Sequence, residues 1–72
     1  MRAPELLAIL TREPLNYRIV RQRGSHRRLE SDSGYPPLGF AWHDGVTIPP
    51  GLVRKVLTKD VGLPTEEALR LL

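Results

Sequence analysis

Apolar positions along the 72-residue chain follow a helical period at both ends and an alternating one in the middle. Leu6, Leu7, Ile9 and Leu10 recur at helical spacing. Pro4 falls in the first turn, where its missing N–H is harmless. This stripe predicts a helix through about residue 12, stopped by Pro14. From Tyr17 to Arg23 the pattern turns β-rich, with Tyr17, Ile19 and Val20 set among arginines. A tight reversal at Arg23-Gly24 and a second, polar strand over Ser25–Glu30 complete a hairpin. Residues 31–37 (Ser-Asp-Ser-Gly-Tyr-Pro-Pro) form a loop by composition. Leu38, Phe40 and Trp42 then alternate with Gly39, Ala41 and His43, a third strand with one apolar face, ended by Asp44-Gly45.

Pro49-Pro50-Gly51 opens a helix that places Leu52, Val53, Val56 and Leu57 on one side. Arg54, Lys55 and Lys59 fall on the other side. Gly62 is positioned to cap its end. Thr65 reads as the N-cap of a last short helix, with Glu66 and Glu67 in the turn where acids suit the dipole. The order α-β-β-β-α-α predicts one α+β domain over residues 1–72, with helices on one face of a three-stranded antiparallel sheet. The other face of the sheet is left free.

Composition removes several chemistries. There is no cysteine, which excludes disulfides, thiol catalysis and cysteine-based zinc sites. With His26 and His43 the only histidines, no metal site is expected. No Gly-rich phosphate loop is present, and no small-molecule cofactor is expected. No apolar run approaches the roughly 18 residues of a membrane span, and no signal-type stretch opens the chain. A cytoplasmic protein without a membrane partner is the expectation.

Charge is concentrated rather than spread. Six arginines (Arg12, Arg18, Arg21, Arg23, Arg27, Arg28) and one acid, Glu13, lie within residues 12–28, a segment of charge +5 in a chain of +3. Such density favours a polyanionic partner. Nine of the eleven basic residues are arginine, which grips phosphate in two-point contacts better than lysine does.

Strand alternation puts His26, Arg28 and Glu30 on one face of the second strand and Ser25, Arg27 and Leu29 on the other. Leu29 is the apolar member of its set, so its face turns to the helices and His26 turns outward. Imidazole suits proton transfer near neutral pH, and guanidinium groups stabilise charge on phosphate oxygens. RNA carries its own nucleophile in the 2′-OH, so a metal-free ribonuclease is chemically possible with these groups. The same basic face would also serve a non-catalytic nucleic-acid-binding module. His43 is a second candidate acid, although His43-Asp44 reads as strand end plus turn. Ser25 lacks the surroundings of a nucleophile elbow. Tyr35, Phe40 and Trp42 could stack on bases, but Phe40 and Trp42 share the apolar alternation and read as core.

The run from Tyr17 to His26 (Tyr-Arg-Ile-Val-Arg-Gln-Arg-Gly-Ser-His) resembles the signature of the HicA family of bacterial toxins. Residues 50–57 (Pro-Gly-Leu-Val-Arg-Lys-Val-Leu), followed by Val61-Gly62-Leu63, resemble that family's second block. The resemblance spans about residues 3 to 63. It implies a fold like the double-stranded-RNA-binding domain, cleavage of mRNA, and a HicB-type antitoxin that covers the active site. It makes His26 the catalytic residue, with Gly24 and Ser25 shaping the turn that presents it. The residues expected to contact RNA are then Arg21, Arg23, Gly24, Ser25, Arg28 and Lys55. Pro14-Leu15-Asn16 departs from the Gly-containing turn common in the family, and the helix from residue 65 onward reads as accessory.

Overall fold

In the computed structural model, which describes residues 1–72, helix α1 spans Ala3–Thr11. Pro4 sits in its first turn, and the backbone N–H of Arg2 donates to Glu5 Oε1 at 3.1 Å, satisfying one free donor at the helix start. Ala3, Leu6, Ile9 and Leu10 are buried along one stripe. The helix ends three residues before Pro14. Strand β1 follows at Tyr17–Arg23, β2 at His26–Ser31 and β3 at Leu38–Phe40, in an antiparallel sheet of order β1-β2-β3.

One face of this sheet carries the core. Tyr17, Leu29, Leu38 and Phe40 are buried with Leu6, Leu10 and Leu57 in a single cluster. All the helices lie on that side. The arrangement is the α+β layout of the double-stranded-RNA-binding domain, with the outer face of the sheet uncovered.

Two details differ from the strand periodicity. The reversal occupies Gly24 and Ser25 rather than Arg23 and Gly24, so β2 begins at His26. The third strand stops at Phe40 and not at His43: its pairing with β2 ends at Arg27–Phe40, one residue before β2 meets its turn. Trp42 still reaches the core, packing edge-on against Phe40 with ring centroids 5.0 Å apart.

The N-terminus straps the next connection in place. Ala3 N–H donates to the Val46 carbonyl at 3.0 Å, and Ile48 N–H donates to the Met1 carbonyl at 2.6 Å. Ile48 is buried there. Helix α2 spans Pro50–Lys55, burying Val53 but leaving Leu52 exposed. It runs on as a wider π-helical turn, Val56–Asp60, that buries Val56 and Leu57. Gly62 ends the run with φ +90°, a conformation that glycine adopts without strain. Helix α3 spans Thr65–Leu71. Its N-cap is Pro64, with Thr65 as the first helical residue, because the fixed φ of Pro64 already suits the turn into the helix. Ala68 is buried in the core, and Arg12 Nη2 donates to the Leu71 carbonyl at 3.0 Å.

Candidate active site

The site is built on the β1–β2 hairpin. Gly24 takes φ +59° at the first of two turn positions, a conformation that a side chain would strain. Gln22 Nε2 donates to the Gly24 carbonyl at 3.2 Å and braces the turn. Arg23 and His26 are thereby direct cross-strand partners.

Further along the hairpin the pairing is irregular. Ile19 pairs with Leu29, yet Arg21 pairs with Arg28, so Val20 has no partner and forms a bulge. Strict alternation would put Arg21 and Arg23 on the same face as Tyr17 and Ile19. The extra residue reverses that. Tyr17 stays in the core, while Arg21 and Arg23 join His26 and Arg28 on the outer face. No local feature of the sequence marks the bulge, because it exists only relative to the partner strand.

Around His26 lies an open depression of about 210 Å³. Arg21, Arg23, His26 and Arg28 line it together with Gly39 and Ala41, and Arg27 and Phe40 complete its wall. His26 is exposed, as are Arg21, Arg23 and Arg28. Three guanidinium groups, those of Arg21, Arg23 and Arg28, therefore stand on the same face as one imidazole, and no carboxylate lines the depression. Arg21 and Arg23 form no ion pair, and Arg28 has only Glu30, 3.9 Å away. Arg18 is different. It binds Asp32 at 2.9 Å, and that hydrogen bond and charge push its pKa above the ordinary value.

Arg27 points the other way, beneath the sheet, as alternation requires. Its guanidinium lies 5.8 Å from the Phe40 ring centre, and Nη2 contacts Asp44 Oδ1 at 3.4 Å. Its Nη1 is buried with no partner. Asp44 is thus engaged with Arg27, and His43 is exposed on the turn without lining the depression. Lys55 is exposed at the end of α2 and also lies outside it. Gly24 and Ser25 form the turn but not the wall. Tyr35 and Trp42 pack against the core instead of the basic face. No three His, Cys, Asp or Glu side chains converge anywhere in the fold. Besides Arg27 and Phe40, the lining residues that sequence reasoning left out of the site are Gly39 and Ala41. Their positions opposite the apolar alternation of Leu38, Phe40 and Trp42 were the available signal.

A family model described as the HicA toxin of bacterial toxin–antitoxin matches residues 3–63. The chain belongs to the HicA toxin family. No curated protein and no solved structure matches it. As a HicA toxin it is the toxic member of a toxin–antitoxin pair, with a cognate antitoxin as partner. The matched segment contains α1, the whole sheet and α2, and so the entire His26 depression; α3 falls outside it. No helix of this HicA toxin is long and apolar enough to cross a membrane.

Proposed function

We propose that this HicA toxin is an endoribonuclease that cleaves mRNA without a metal ion, with His26 as general acid and base. The observation that carries the reading is the exposed imidazole between the unpaired cations Arg21 and Arg23 and the weakly paired Arg28. An RNA backbone laid across the hairpin brings a phosphate between these groups. His26 accepts the proton of the 2′-OH, whose oxygen attacks the adjacent phosphorus. The bond from phosphorus to the 5′-oxygen breaks, and that oxygen takes a proton from the imidazolium or from water. Arg23 and Arg28 hold the non-bridging oxygens and stabilise the charge that builds on them. Arg21 adds a third contact within the same depression, and Gly24 and Ser25 act by shaping the turn.

Lys55 lies apart from this centre, and its contribution is to the flanking backbone of a longer RNA. The partner is an antitoxin of the HicB type that covers the hairpin face, and the pair works in the cytoplasm, where mRNA is found. Residues 65–72 are accessory to the chemistry.

The test is incubation of the purified protein with a transcript in EDTA, beside a folded His26→Ala variant. The wild type should cut the RNA. The variant should be slower by roughly 10²–10⁴, the usual contribution of such a group, and should lose toxicity on expression. Unreduced cleavage by His26→Ala overturns the assignment. RNA that is bound and left intact by the wild type would leave a binding module in place of an enzyme.

A further inference from the structure

Gly39 is the middle residue of β3, between Leu38 and Phe40, which are both buried. It therefore faces outward, directly opposite Arg28. Glycine weakens a strand, since it adds backbone entropy to the unfolded chain and has no side chain to pack. Two common reasons for tolerating it are absent here. The positive-φ glycines are Gly24, Gly34 and Gly62, so the backbone at Gly39 does not require glycine. A Cβ built on Gly39 meets nothing within 4 Å, so packing does not require it either. The isolated chain would accept a β-branched residue at this position, and strand preference favours one.

What the missing side chain does is keep the floor beside Arg28 bare. That floor belongs to the depression lined by Arg21, Arg23, His26 and Arg28. Glycine in a strand marks places where a ligand comes close to the backbone. We propose that Gly39 is a specificity-determining residue that leaves room for a sugar–phosphate backbone to lie flat over β2 and β3, with the scissile phosphate held between Arg28 and His26. The proposal rests on the ribonuclease reading of the same site.

The test compares wild type, Gly39→Ala and Gly39→Val in the full chain, measuring melting temperature, binding of a labelled RNA oligonucleotide, and cleavage. Both variants should fold, with melting temperatures at or above that of wild type. Binding should weaken with side-chain size, by at least about tenfold for Gly39→Val. The loss should appear in KM, with the pH dependence of cleavage unchanged, since the imidazole is untouched. Unaltered binding by Gly39→Val overturns the proposal. A destabilised Gly39→Val overturns it as well, because packing would then be the reason for the glycine. If wild type binds RNA without cutting it, the ribonuclease reading fails while the binding series still decides the role of Gly39. If wild type binds no RNA, both fall.

Discussion

Arg21 stands directly opposite Arg28 in the register of β1 and β2. Both are exposed, and both share the outer face with His26. Like charges facing each other across an antiparallel pair are destabilising, here with only Glu30, 3.9 Å from Arg28, to offset them. A bound polyanion would relieve them. Arg21→Gln should therefore raise the melting temperature, by roughly 2–6 °C for a repulsion below about 1 kcal/mol in a domain of this size. The same change should weaken RNA binding. Calorimetry and an RNA titration check both halves, and an unchanged melting temperature would show that solvent already screens the pair.

The bulge at Val20 can be tested by deletion. Removing Val20 leaves Ile19 against Leu29 and Arg21 against Arg28, so the cation cluster stays intact. Removing Gln22 also gives regular pairing, but it moves Val20 onto the outer face and turns Arg21 inward. The two variants have the same length and the same arginines. The deletion of Gln22 should bind RNA more weakly, with a salt dependence shallower by about 0.7, the equivalent of one phosphate contact on a single strand. Equal affinities and equal slopes would mean that the facing of Arg21 is irrelevant.

Tyr17 makes stability depend on alkaline pH. Its hydroxyl donates to the Pro36 carbonyl at 2.6 Å, and burial, with Tyr35 nearby, pushes its pKa up to about 12 from the ordinary 10. A phenol whose pKa is higher in the folded state holds its proton more tightly there. Its contribution is therefore complete below pH 10 and is lost as pH climbs from 10 to 12. The loss is at most about 2.7 kcal/mol. Tyr17→Phe should flatten this decline in a denaturation series while removing about 1 kcal/mol of hydrogen bonding at neutral pH. A variant with the same alkaline decline would place its origin elsewhere.

The antitoxin should stabilise its toxin by mass action. A partner that binds only the folded form adds about 2.7 kcal/mol at 100 times its dissociation constant. In a domain of this size that is roughly 10–20 °C in melting temperature. Thermal melts with and without saturating antitoxin measure it directly. No shift would mean that the partner binds the unfolded chain as well.

Local patterns carried much of the fold. Tyr17–Arg23 is the strand that its β-rich residues indicate, and the Leu6–Leu10 stripe is buried as helical spacing requires. The outward setting of His26 and Arg28 also follows from alternation alone, since Leu29 commits its own face to the core. Where expectations moved, a neighbour moved them. The third strand stops where its pairing with β2 ends, and the π-helical turn at Val56–Asp60 has no signature in its own residues.

By itself, then, the order of residues determined the elements, the buried stripe and a basic strand running into Gly-Ser-His, because each depends on spacing within a few residues. Only the tertiary structure decided that Arg21 and Arg23 share a face with His26, and that Gly39 lies bare beside Arg28. Those facts depend on register between strands. One unpaired residue at Val20 reverses the face of every position after it, and nothing short of the folded sheet defines where that residue falls.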